Sequence, residues 1–361
     1  MTSTPAASPP GKPPTEPAND VKPSPGSSRW HSAPWWASVG SIAGVLGLII
    51  ALGTWLFPLF GTTQQHAGAP SGSPARPFVD VINTGSADVW TTVFSPDGKT
   101  IATGGGNDWT VRLWNSVTGE LIRPLVGAAV VEYIAFSPDG NTIVTGAGDI
   151  WHTSTGARVG RFSGGAVAFS PDGKTIAAAG SAFDDVVRIW DVDSIKQIST
   201  LNVPAPNDTE LNFTAFSPDR KFLAACGYEG TIQLWDSTTN KPVRTLKHPG
   251  GAYEVAFSTD GRLGSSGGGT VRVWDPTNGE LVRSFADTQQ FAFQPNGPLI
   301  ATASTKDFSV QLWNVSSGRM VHSFQDHTDA IAGLTFSPDG RILAAGSRDH
   351  SVRLWSVTPY V

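Results

Sequence analysis

The sequence predicts an all-β domain, a seven-bladed β-propeller, preceded by a disordered tail and a single transmembrane helix. Three observations carry this. A unit that opens on Phe and closes on Trp recurs seven times, with 33 to 47 residues between successive Phe. Repeats of that length, built from strands rather than helices, are propeller blades. A charge-free apolar run precedes the first unit, and a stretch of Pro, Ser, Thr and Ala precedes that run.

Residues 1–34 contain almost no large apolar side chain before Trp30. Such a segment cannot bury enough surface to offset the entropy of ordering it, so it reads as a disordered tail. Its PASPPGKPP stretch has the composition of a proline-rich ligand as well as of a solvated tail, and the tail reading is preferred.

Residues 35–60, WWASVGSIAGVLGLIIALGTWLFPLF, carry no charge. A bilayer core is crossed by about 20 residues of helix. Trp35, Trp36 and Trp55 sit near the two ends, where indoles favour the interface. The alternative is a cleaved signal peptide, because Ala67-Gly68-Ala69 resembles a cleavage site. The run exceeds the usual signal core of about 7–15 residues, which favours an uncleaved anchor. Lys12, Lys22 and Arg29 precede the span and Arg76 is the first cation after it. Positive-inside counting then makes this a single-pass membrane protein, with its N-terminus in the cytoplasm and the propeller on the outer side. Gly40 and Gly44 have the small-residue spacing that lets two helices approach, a route to a homodimer. Residues 61–77 form a polar linker rich in Gly and Pro.

The propeller is assigned to 78–358. Its unit is clearest in the last copy, FSPDGRILAAGSRDHSVRLW, from Phe336 to Trp355. Ser337-Pro338-Asp339-Gly340 has the residues of a reverse turn: Pro fixes φ, Asp bonds its own backbone, and Gly accepts the exit geometry. Ile342–Ala345 is small and apolar, as a strand buried on both faces should be. Ser351–Trp355 alternates polar and apolar, as a strand with one buried face does. The opening residues are Phe94, Phe136, Phe169, Phe216, Phe257, Phe293 and Phe336; the closing ones are Trp114, Trp151, Trp190, Trp235, Trp274, Trp313 and Trp355. After Trp355 too few residues remain for an outer strand, whereas Phe78–Ile82 is a spare strand before the first unit. Pairing the two closes the ring and leaves no free sheet edge in it.

The tails of the units, Trp190-Asp191, Trp235-Asp236 and Trp274-Asp275, with the weaker Trp114-Asn115, Trp313-Asn314 and Trp355-Ser356, resemble the WD40 repeat family over roughly 78–358. The resemblance implies a hydrogen-bonded staple of Asp, His, Ser or Thr, and Trp within a blade. The last blade matches at His327, Ser347, Asp349 and Trp355. The fifth keeps His248, Ser266 and Trp274 but has Gly268 for the Asp, and the sixth keeps Thr305, Asp307 and Trp313. The second, ending GDIWHTSTG, is short and is expected to be the least regular.

The chain has a formal net charge of -5, which gives no reason to expect nucleic-acid binding. Its single cysteine, Cys226, lies in an apolar stretch and reads as a buried small hydrophobe. Gly264-Ser265-Ser266-Gly267-Gly268 matches GxSxG, but it lies in a hairpin between two strands, without the strand–turn–helix context a nucleophile elbow needs. The seven histidines do not cluster, and no spacing resembles a metal site. The expectation is therefore no enzyme, no cofactor and no metal. A propeller-based hydrolase-like enzyme and a cell-envelope glycan or small-ligand binder stay as alternatives.

What remains is a binding surface. The resemblance implies that partners, here a protein or peptide, use the rim opposite the SPDG turns. Four residues before the opening Phe of successive blades stand Trp90, Glu132, Gly165, Asn212, Tyr253, Gln289 and Ala332, of which Trp90, Glu132, Asn212, Tyr253 and Gln289 are the candidates; the hairpins add Trp109, Phe183, Tyr228 and Phe308. Large aromatics in turns, where Gly or a polar residue would serve, are favoured interface anchors. Trp90 and Trp109 share a blade and form the leading patch.

Overall fold

The computed structural model describes residues 80–85, 88–105, 109–127, 131–179, 185–203 and 211–360. The tail, the apolar span, Gly40, Gly44, the linker and Phe183 lie outside the described residues. Among the described residues no helix is long and apolar enough to cross a membrane.

The strands fall into seven four-stranded antiparallel sheets, one per Phe–Trp unit. In the first blade they are Thr91–Phe94, Thr100–Gly104, Thr110–Asn115 and Leu121–Val126. Residue type follows depth. The second strands are the small apolar runs, such as Ile342–Ser347, nearly all of it buried. The fourth strands, such as Leu121–Val126, are mostly exposed. The first strands are Thr91–Phe94, Ile134–Phe136, Ala166–Phe169, Leu211–Phe216, Glu254–Phe257, Thr288–Phe293 and Ile331–Phe336. Each touches the first strands of both neighbouring blades, around a closed ring of seven.

The core lies between blades. Ala224, Cys226, Ile232 and Leu234 of the fourth blade pack on Val255, Leu263 and Trp274 of the fifth, and the other seams repeat this. Every blade thus uses one sheet face on each neighbour, which is how a small apolar second strand earns burial on both sides.

Val81–Asn83 supplies the missing outer strand of the last blade, pairing antiparallel with Ser351–Ser356. The C-terminal turn, Thr358–Tyr360, adds a second fastening: the Tyr360 ring stacks on His322 of the sixth blade, with centroids 4.3 Å apart.

The SPDG turns are alike in detail. In the last one Ser337 Oγ donates to Asp339 Oδ1 at 2.6 Å, and the Arg341 amide donates to the same oxygen at 3.1 Å. These bonds lower the Asp339 pKa. Neighbouring turns also bond to each other: Gln294 Nε2 donates to Gly340 O at 2.8 Å, and Arg220 pairs with Asp172 at 2.9 Å.

Candidate functional site

In the first, fourth, fifth, sixth and seventh blades the hairpin joining the second and third strands has a left-handed residue five positions before the Trp. The fourth and fifth blades use glycine, Gly230 (φ 75°) and Gly269 (φ 72°). The first, sixth and seventh place Trp109 (φ 50°), Phe308 (φ 58°) and His350 (φ 65°) at the same point. A bulky residue in this region is strained by roughly 1–3 kcal/mol, and such strain clusters at functional sites. Trp109 is 55% exposed, so burial of its ring does not compensate. Phe308 is half-buried, and His350 lies 3.3 Å from Asp88 Oδ1.

The loops entering the first strands lie on the same rim. The Trp90 amide donates to Gly104 O at 2.9 Å. Its ring lies against Gly105, where a Cβ would come within 2.9 Å of it. Trp90 therefore packs on the base of the hairpin that presents Trp109, and the two play different parts. Tyr228, 40% exposed, faces Tyr253 with ring centroids 5.7 Å apart. Gln289 Nε2 donates to Ile331 O at 3.3 Å and ties the sixth blade to the seventh. Asn212 Oδ1 accepts from the Cys226 thiol at 3.6 Å. Burial pushes the Cys226 thiol well up, and the Glu254 carboxylate adds to the shift. Desolvation raises the Glu132 carboxyl, although the residue as a whole is exposed.

Three residues at the inner wall were not among the sequence candidates. Tyr133 and Phe213, from the second and fourth blades, meet edge to face at 5.2 Å. Blades that are not neighbours can touch only across the ring, so these rings converge on its axis. The intervening blade makes room with Gly164 and Gly165. Glu254 is the third. Burial raises its carboxyl pKa to about 8, against partial offsets from the Phe291 amide and the Ser266 hydroxyl. The Ser266 contact falls short of hydrogen-bond geometry: Glu254 Oε2 and the Ser266 hydroxyl are both buried without a partner. All three stand three residues before the opening Phe, one position on from the candidates taken above.

The staple expected in the last blade is divided. His327 Nδ1 lies 2.8 Å from Asp349 Oδ2, which also accepts from the Thr328 amide at 3.1 Å. Trp355 does not reach Ser347: its indole donates to Asp326 Oδ2 at 2.7 Å, and Ser347 Oγ donates to Asp329 O. Other blades show why. Trp114 donates to Thr103 at 2.8 Å, Trp274 to Ser265 at 2.8 Å and Trp313 to Thr302 at 3.0 Å. Those hydroxyls stand opposite Arg112, Arg272 and Gln311, a register that Ala345 occupies opposite Arg353. Ser347 is two positions too late. The register likewise replaces Ser266 by Ser265, one position earlier, and Thr305 by Thr302, three positions earlier. His248 completes the fifth blade, its Nδ1 2.8 Å from Ser265 Oγ.

Among the described residues no group of His, Cys, Asp and Glu could hold a metal ion. The family description WD domain, G-beta repeat matches 79–115, 162–191, 196–236, 240–275, 279–314 and 318–356. The matches skip the second blade, where buried Asp149 stands two residues before the Trp, the place that Arg112, Arg272 and Arg353 take in other blades. Human Striatin-4 is 33% identical over 159 residues, 40% of this chain and 21% of its own length. Actin-interacting protein 1 of Drosophila melanogaster is 27% identical over 301 residues, 77% of this chain and 49% of its own. WD repeat and HMG-box DNA-binding protein 1 of Xenopus laevis is 24% identical over 147 residues, 40% of this chain and 13% of its own. The chain thus spans half or less of the length of these relatives. With six matched segments across more than half of its length, and a ring of seven four-stranded blades beneath them, the chain belongs to the WD40 repeat family.

Proposed function

We propose that this chain is a membrane-anchored, non-catalytic scaffold whose propeller captures a protein partner on the rim bearing Trp109 and Phe308. One observation carries the reading. Trp109 and Phe308 hold left-handed backbone at a point where sibling blades use glycine. Folding alone favours glycine there. Trp109 is largely exposed, and aromatic side chains are the usual anchors of interfaces. The relative named as interacting with actin is compatible with a protein partner for this chain. Photocrosslinking tests it. A benzophenone amino acid at 109 or 308 of the full chain, in its native membrane, should give a discrete adduct. The same group at Ile198, exposed on the outer wall, should not. Equal labelling at all three positions would remove the rim from consideration.

The anchor rests on the charge-free span 35–60, and the orientation on the cations before it. An epitope in 61–77 should be cleaved when protease is added to intact cells. Protection of that epitope, with loss of an N-terminal tag, reverses the orientation.

A further inference from the structure

The partner is specified further by the inner wall, an inference that rests on the partner-binding reading above. Among the described residues the seven first strands contain one charged side chain, Glu254; they hold no Lys, Arg or His. Its Oε2 is buried and unbonded. Aromatic rings from three blades lie nearby: Tyr133, packed on Phe213, is close enough to feel the charges of Glu254 and Tyr228, and Tyr228 in turn faces Tyr253. The charges sense each other across the ring. Tyr133 is held well above the usual tyrosine range by burial first, then by Glu132, Tyr228, Cys226 and Glu254. A second carboxylate, Glu132, stands beside Tyr133 at the mouth.

A buried carboxyl with a free oxygen, close to aromatic rings, can take a cation in exchange for its proton. Guanidinium fits both halves of this site: it pairs with a carboxylate and stacks on aromatic rings. We propose that the mouth of the ring between Glu254, Glu132, Tyr133, Tyr228 and Tyr253 receives an arginine side chain presented by the protein partner.

The site is coupled to protons. Burial leaves Glu254 protonated below about pH 8 in the free protein. Its strand, Glu254–Phe257, packs on Leu211–Phe216, Phe222–Gly227, Leu263–Gly267 and Thr288–Phe293. Those strands carry no titratable side chain besides Cys226. Glu132, Tyr133, Tyr228 and Tyr253 complete the set that faces the mouth. An arriving guanidinium favours the carboxylate, so binding expels the proton and tightens as pH rises through about 8.

The probe is acetyl-Gly-Gly-Arg-Gly-Gly-amide, with its citrulline counterpart and free agmatine as controls, titrated calorimetrically into the full chain in detergent. The arginine peptide should bind at least about tenfold tighter at pH 9 than at pH 6. At pH 7 it should release protons, read from two buffers of different ionisation enthalpy. Glu254→Gln should weaken it by at least about tenfold and flatten the pH dependence. The citrulline peptide should not bind. Binding without proton release, or binding unchanged in Glu254→Gln, overturns the proposal; so does agmatine binding as tightly as the peptide, which would mark a site for small free cations. Proton release from the unaltered chain keeps the test valid if Glu254→Gln fails to fold. If crosslinking at 109 and 308 persists while the arginine peptide fails to bind, the rim reading stands and this inference falls. Peptide binding without those crosslinks has the opposite meaning.

Discussion

Ile82 lies directly opposite Val352, at the seam where the two ends of the propeller meet. Both are buried, at 1% and 0% exposure, in a cluster that also contains Val89, Ile101 and Trp114 of the first blade. One side chain therefore joins the start of the propeller, its last blade and its first. Ile82→Ala should cost about 2–5 kcal/mol, the range for core Ile truncation. Chemical denaturation of the full chain measures this. A loss within error of zero would mean the ring is not held at this seam.

Asp349 collects four bonds in the last blade: His327, the Thr328 amide, the Ser351 amide and the Ser351 hydroxyl. Asp349→Ala strands these donors and should cost on the order of 1–3 kcal/mol. Ser347→Ala should cost less, because Ser347 bonds only backbone groups and does not reach Trp355. A larger loss from Ser347→Ala would restore Ser347 to the staple.

Stability should fall toward both acid and alkaline pH. Burial, helped by Arg272, lowers His248 from 6.5 to about 4. His327 is lowered too, by burial against the pull of Asp349. Between pH 6.5 and about 4 the unfolded chain then binds more protons at His248, so acidification through that window destabilises the fold. Glu254 has the opposite sign. Its carboxyl rises from 4.5 to about 8, so the folded chain holds the extra proton and stability is lost as pH rises from 4.5 through 8. Melting curves across this range should show both slopes, and Glu254→Gln should remove the alkaline one alone. An unchanged alkaline slope would mean that the Glu254 carboxyl is not buried in solution.

The blades were legible because each carries a turn and an indole that local chemistry fixes. Ser337-Pro338-Asp339-Gly340 makes its turn wherever it stands, and the Trp follows one hairpin later. The staple hydroxyl was not. It is set by cross-strand register, Ser265 opposite Arg272, and the hairpin between those strands differs in length among blades. The inner wall was missed by one residue. The candidate positions included Glu132, Asn212 and Tyr253; the inner-wall residues are the next ones along the chain, Tyr133, Phe213 and Glu254. The left-handed strain at Trp109 and Phe308 had a sequence signal that went unused: glycine at the same place in sibling blades.

The rim can be tested against folding with one variant. Glycine accepts the left-handed backbone at 109 and 308 without strain, as Gly230 and Gly269 already do. The Trp109→Gly, Phe308→Gly double variant should therefore keep the melting temperature of the unaltered chain or exceed it. Its affinity for the protein identified by crosslinking at these positions should fall by about 2 kcal/mol or more, the size of a hot-spot loss. A variant that melts as before and binds that protein with undiminished affinity would contradict the account.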